Sequence, residues 1–273
     1  MEQQRTTANP VPALLRSAHA GPALAVTAIA GLLAVTAGLP PATSALVVAA
    51  VLTGQLSIGW SNDLIDVRRD RAVRRADKPL AAGEITVATV RVACVLALVA
   101  TVPLSLACGP VAGSVHLLTV ASGWAYNLGL KSTAWSWLPY AVAFGALPVF
   151  VALTGAPDEL PPLWVPLAGA LLGVGAHLVN ALPDLDDDAA TGVHGLPHRI
   201  GARRTGPAAT AVLVAASVLI ALNATGSHRW LSWLGLPLVG VLAAAGVRGR
   251  GRTPFRAAVA IALVDVALLA GAR

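Results

Sequence analysis

The chain is short of charge. Asp, Glu, Lys and Arg make up 12% of its 273 residues, against about 25% in an ordinary soluble domain. That shortage excludes a typical soluble enzyme. Hydrophobic types at 56% exclude a disordered chain, which needs the opposite balance. Cysteine is nearly missing: Cys94 and Cys108 are the only two, and both lie in apolar stretches. A secreted disulfide scaffold is therefore excluded, and both thiols read as packing residues. Basic residues outnumber acidic ones by 19 to 13, yet they sit in short gaps between apolar runs. That layout argues against a nucleic-acid partner. What remains, with a mean hydropathy of +0.72, is a polytopic membrane protein.

Nine apolar runs follow one another, at 20–38, 43–61, 86–107, 109–127, 135–154, 161–182, 205–223, 228–246 and 254–271. Each is about 18 to 22 residues long, enough for a helix to cross a hydrocarbon core of roughly 30 Å. The runs are continuous and not alternating, so helices are expected and not barrel strands. The expected fold is all-α, with nine transmembrane helices. Residues 1–19 form a polar N-terminal segment with Arg5 and Arg16, and no cleavable signal is expected. With the N-terminus in the cytoplasm, 16 of the 19 basic residues fall in cytoplasmic segments, as the positive-inside rule requires. Asp158 and Glu159, in a loop without basic residues, then lie outside.

Acidic residues are few and concentrated. Seven of the 13 stand in two stretches, Asp63, Asp66 and Asp70, then Asp184, Asp186, Asp187 and Asp188. Each stretch begins at the end of an even-numbered span, so both face the cytoplasm. The first reads Asn62-x3-Asp66-x3-Asp70 and the second Asn180-x3-Asp184-x3-Asp188. The spans that carry them are four apart, the mark of a duplicated four-helix unit with one helix added. Spacings of three and four put Asp63, Asp66 and Asp70 on one helical face, and Asn180, Asp184, Asp187 and Asp188 on another, with His177 a turn before. Asp186 points away. Stacked carboxylates at a membrane boundary repel one another, and a divalent cation relieves that. Hard oxygen donors suit Mg2+, and two matched clusters suggest two ions clamping one diphosphate. The plainer alternative makes these residues helix caps and solvated loop charges. Arg68, Arg69, Arg71, Arg74, Arg75 and Lys78 follow the first cluster. Headgroup attraction and topology account for most of them, with Arg74 and Lys78 best spaced to reach a phosphate. The second loop offers His194, His198, Arg199 and Arg203.

The run Asn62-Asp63-Leu64-Ile65-Asp66-Val67-Arg68-Arg69-Asp70, followed by Lys78-Pro79-Leu80 and Gly83, resembles the first motif of the UbiA superfamily of intramembrane prenyltransferases. Asp184 and Asp188, with Gly192, Leu196, Pro197 and Gly201 after them, resemble its second motif. The likeness covers nearly the whole chain and implies one intramembrane domain over 1–273, a UbiA-like bundle with cytoplasmic Asp-rich loops at 62–85 and 183–204. There are departures: Ala181 follows Asn180, Val193 and His194 follow Gly192, and Tyr126 stands five residues before Lys131.

The resemblance implies a prenyl diphosphate donor bound at the cytoplasmic mouth through two Mg2+ ions. The ions would be held by Asp63, Asp66 and Asp70 on one side and by Asp184, Asp187 and Asp188 on the other. Asn62 and Asn180 would support them. Arg74, Lys78, Tyr126, Lys131, His177 and Arg199 are the further substrate-binding candidates. Trp60, Trp124, Trp135 and Trp137 would line an apolar chamber for the carbocation, while Trp164, Trp230 and Trp233 read as interfacial anchors. An aromatic or other small lipophilic acceptor would then take the prenyl group. Two other functions stay open at this point. One is an intramembrane terpene cyclase using the same site without an acceptor, the other an ion transporter. The expected place is a bacterial inner membrane, with lipid as neighbour and no nucleic acid.

Overall fold

The computed structural model describes residues 10–183, 185, 192–225, 229–249 and 253–271. Asp184, Asp186, Asp187 and Asp188 of the second motif lie outside the described residues. Every one of the nine apolar runs is helical, and no strand occurs among the described residues. A short α1 (Pro10–Ser17) precedes α2 (Ala20–Thr36) and the long α3 (Pro41–Ala72). Then come the single turn α4 (Pro79–Ala82), α5 (Val87–Ala107), α6 (Pro110–Leu128), a 3-10 turn (Leu130–Ser132) and α7 (Leu138–Gly155). The second half holds α8 (Trp164–Ala181), a short α9 (Leu196–Ile200), α10 (Ala202–Asn223), α11 (Arg229–Arg248) and α12 (Thr253–Gly271). Prolines open α3, α4 and α6, where a missing N–H loses nothing.

Six of these helices are long and apolar enough to cross a membrane, and a seventh if α1 and α2 count as one span bent by 72°. The helices that fall short of that standard include α6, which carries His116 and several hydroxyl side chains, and α12, which carries Arg256 and Asp265.

Consecutive helices pack in order around a ring, and α12 returns to α2 and closes it. One apolar core joins α2, α3, α6 and α7, a second joins α1, α3, α4 and α5, and a third fills the half made of α8, α10, α11 and α12. Inside the ring, Ile29, Leu33, Phe144, Leu147, Pro148, Gly169, Leu172 and Val266 line a largely apolar cavity of about 20 Å3. A groove of about 330 Å3 opens between α11 and α12, at the ends of those helices away from the Asp motif.

The segment after residue 61 differs from the loop expected over 62–85. Helix α3 runs on to Ala72, a length of 32 residues, or about 48 Å, well beyond a hydrocarbon core. Its last turns therefore project out of the apolar bundle and carry Asn62, Asp63, Asp66 and Asp70 with them. Arg69 and Arg71 stand in the last turn, where cations complement the helix dipole.

Helices α4 and α9 reveal more of the duplication than the Asp spacing does. Each follows the helix that carries the Asn of an Asp motif, Asn62 or Asn180, each contains a Pro, and each is stopped by a glycine with positive φ, Gly83 at 79° and Gly201 at 85°. Aligning Lys78-Pro79-Leu80-Ala81-Ala82-Gly83 with Leu196-Pro197-His198-Arg199-Ile200-Gly201 puts the two stops in register.

Candidate active site

The exposed end of α3 turns its carboxylates inward. Asp63, Asp66 and Asp70 are 1%, 6% and 5% exposed, on one side of the helix as their spacing requires. The chain has only two lysines, Lys78 and Lys131, and both are committed to this face. Lys78 Nζ donates to Asp63 Oδ1 at 2.8 Å. Lys131 Nζ donates to Asp66 Oδ1 at 2.6 Å and Oδ2 at 2.5 Å. Arg69 adds a 3.0 Å bond to Asp66 Oδ2 and lies 4.0 Å from Asp70 Oδ1. Asp63 Oδ2 is buried without a hydrogen-bond partner among the described residues, an arrangement that ordinarily destabilises a fold.

The N-terminal helices close this face from one side. His19, at the break between α1 and α2, has φ 52° and ψ 52°, a left-handed conformation uncommon outside glycine. That turn sets His19 Nε2 3.1 Å from Asp63 Oδ1 and 2.7 Å from Lys78 Nζ. Nothing local in residues 1–19 marks His19 as a neighbour of Asp63. Trp60 Nε1 donates to the Leu14 carbonyl at 2.9 Å, tying α1 to α3. Trp60 thus serves as an anchor for α1. Trp124 donates to Ser57 Oγ at 3.2 Å, and Trp135 is 60% exposed, not lining a chamber.

Asn62 does not reach the carboxylate cluster alone. Its Nδ2 donates to Asn127 Oδ1 at 3.2 Å, and Asn127 Nδ2 in turn donates to Ser61 Oγ at 2.8 Å and to the Ile58 carbonyl at 2.9 Å. This net clips α6 to α3 and positions the 3-10 turn that delivers Lys131. Arg74 is exposed, at a left-handed turn with φ 55°. Arg75 is engaged with Asp77, donating from Nε and NH2 at 2.9 Å to its two oxygens. That contact holds the Asp77 carboxyl below its ordinary range.

A second cluster lies at the start of α7 and the end of α8. The Tyr126 and Tyr140 rings meet edge to face at 5.3 Å, and His177 lies tilted 4.9 Å from Tyr140 and edge-on 5.9 Å from Tyr126. His177 is 2% exposed, with Nε2 3.0 Å from Ser136 Oγ, and Ser136 Oγ also accepts the Leu196 N–H at 2.8 Å. Tyr140 hydrogen-bonds Asn180 and Tyr126. Tyr140 and Ser136 carry no motif signal and were missed. Their aromatic and hydroxyl chemistry beside the second motif is the only cue. Arg199 is exposed, and its Nε donates to the His194 carbonyl at 3.2 Å.

Among the described residues no three of His, Cys, Asp and Glu converge as a ready metal cage. Two of the α3 carboxylates, Asp63 and Asp66, are paired with lysine ammonium groups. The donor set fits a hard cation, because three buried carboxylates share one face and one oxygen, Asp63 Oδ2, lacks a partner among the described residues.

Comparison with known proteins agrees with this geometry. Residues 23–264 match the UbiA prenyltransferase family. Digeranylgeranylglyceryl phosphate synthase of Methanoculleus marisnigri is 30% identical over 205 residues, covering 71% of each chain. The bacteriochlorophyll synthase 33 kDa chain of Cereibacter sphaeroides is 31% identical over 185 residues, 62% of this chain and 59% of that one. Among solved structures, a UbiA homologue from Archaeoglobus fulgidus bound to GPP and Mg2+ superposes with a TM-score of 0.72 at 17% identity, covering 94% of this chain and 98% of that one. The apo UbiA homologue from Aeropyrum pernix K1 gives 0.72 at 18% identity, covering 96% and 98%. These two share the fold. With the sequence match spanning most of its length, the chain belongs to the UbiA prenyltransferase family.

Proposed function

We propose that the protein ionises a prenyl diphosphate in a Mg2+-dependent reaction and transfers the prenyl group to a small lipophilic acceptor, an aromatic ring being the first choice. The observation that carries this is the buried carboxylate face of α3 with both lysines of the chain upon it. Nine helices then read as nine spans with the N-terminus in the cytoplasm, which turns that face toward the cytoplasm. The membrane is read as a bacterial inner membrane.

Asp63, Asp66 and Asp70 would hold Mg2+, with Asp184, Asp187 and Asp188 as the expected ligands from the second motif. Bound there, Mg2+ supplies the positive charge that makes diphosphate a good leaving group. Lys78 and Lys131 are kept at the same face by their pairing with Asp63 and Asp66, close enough to meet phosphate oxygens. The C–O bond of the donor breaks, its electron pair stays with the diphosphate, and the allylic cation is left facing the bundle. The Tyr126, Tyr140 and His177 rings offer π-faces to that cation near the mouth. The acceptor attacks and gives up a proton, and the apolar interior excludes competing water.

Purified protein, Mg2+ and farnesyl or geranylgeranyl diphosphate, with and without an aromatic acceptor, test the reading. Diphosphate release together with a prenylated acceptor is the expected result. Asp66→Ala should lower the rate at least about 10²-fold, the usual loss when a charge-stabilising group is removed, while the protein still inserts. A near-normal rate in Asp66→Ala, or a cyclic product from the donor alone, overturns transfer by this site.

A further inference from the structure

The duplication sets a buried leucine of the first half against a histidine of the second. Leu80 anchors α4 in an apolar core and is 1% exposed. Its counterpart on α9 is His198, whose Nδ1 and Nε2 are both buried and have no hydrogen-bond partner among the described residues. A neutral imidazole carries one donor and one acceptor, and leaving both unpaired away from water is unfavourable. An apolar residue would anchor a short helix without that penalty, as Leu80 does. Something other than packing therefore accounts for an imidazole at this position.

Its surroundings say what that is. Gly195, three residues before, packs so closely that a Cβ there would lie 2.7 Å from the Lys131 carbonyl and 2.8 Å from Ser136 Oγ. The Leu196 N–H, two residues before, is bonded to Ser136 Oγ, which also meets His177. His198 itself stands within electrostatic reach of His177. Helix α9 is thus seated on the turn that delivers Lys131 to Asp66. His198 belongs to the same mouth as the carboxylate face. Arg199 follows it directly and Arg203 and Arg204 open the next helix, charges that favour an anion.

We propose that His198 is a substrate-binding residue that donates a ring N–H to a phosphate oxygen. The inference rests on the prenyl-diphosphate reading above. Two sources offer that chemistry, the diphosphate of the donor and a phosphate carried by the acceptor. Neither Lys78 nor Lys131 has a counterpart on α9, where Leu196 stands opposite Lys78. His198 supplies a donor on that half.

Binding of inorganic pyrophosphate and of glycerol 1-phosphate, each with Mg2+, is measured by calorimetry on the full chain in detergent or nanodiscs. His198→Leu restores the residue type found at Leu80, and His198→Gln keeps an N–H donor. His198→Met, near the imidazole in length, replaces the Leu variant if that one does not fold. The apolar variants should bind about tenfold more weakly, the usual worth of one hydrogen bond to a charged group, with His198→Gln close to wild type and the unliganded melting temperature of the apolar variants no lower than wild type, since they remove the unpaired imidazole. Loss for pyrophosphate assigns the contact to the donor, and loss for glycerol 1-phosphate alone assigns it to the acceptor. Equal affinities in wild type and the apolar variants for both probes, or a change confined to Mg2+ affinity, overturn the role of His198 and leave the function standing. Failure of the wild-type protein to bind either probe overturns both.

Discussion

Lys131 and Asp66 are each more than nine-tenths shut off from water, so neither tolerates the loss of the other. Breaking one partner of a buried pair leaves a bare charge and destabilises by roughly 3–5 kcal/mol, while removing both together is far milder. Lys131→Met should therefore lower unfolding stability in detergent by about that amount, and Asp66→Asn combined with Lys131→Met should recover much of it. Additive losses in the double variant would show that the two groups do not depend on each other. The carboxylate face itself was legible in the sequence, because three- and four-residue spacing is a local property of a helix. Its partners were only half legible. Lys78 lies 15 residues from Asp63, in the basic stretch that follows the motif. Lys131 lies 65 residues from Asp66, and only the docking of α6 on α3 brings it there. Arg74, equally well spaced on paper, sits on an exposed turn.

At the scale of elements, the long apolar runs translate into helices because a bilayer leaves the backbone no other way to satisfy its own N–H and C=O groups. Their ends and bends do not follow so directly. Residues 1–19 read as a polar tail, yet Pro10–Ser17 is a helix, packed on α4, paired through Arg16 with Glu84 just beyond that turn, and held to α3 through Trp60. The contact depends on Gly59: a Cβ there would collide with the Ala18 carbonyl. Ala18 precedes His19, so this close approach also sets the left-handed turn that brings His19 to Asp63. Gly59→Ala should push α1 off α3 at about 1–3 kcal/mol, the range for overpacking. It should also open the chain between 10 and 20 to proteolysis and slow diphosphate release. Unchanged proteolysis with slowed release would separate the clamp from the chemistry.

At the scale of the whole molecule, α2, α7, α8 and α12 meet around a small cavity of about 20 Å3 inside the ring of helices. That is room for about one water. A prenyl tail that uses this cavity would have to move helices apart. Gly169 lies against the Phe144 carbonyl and Gly173 against the Tyr140 carbonyl and Phe144, so α7 and α8 are in backbone contact there. Residues from α2 and α12, the pair that closes the ring, also line the cavity, and their packing is the lighter of the two seams. The tail is then expected to part α2 from α12 while α7 and α8 stay together. Leu172, 4% exposed and on the cavity wall, tests this. Leu172→Phe adds bulk where the tail must pass and leaves the carboxylate face untouched. Pyrophosphate affinity should be preserved, while kcat/KM falls by about tenfold or more for geranylgeranyl diphosphate and much less for dimethylallyl diphosphate. An equal loss for both donors would place the tail elsewhere, since only a path through this cavity makes the penalty grow with chain length.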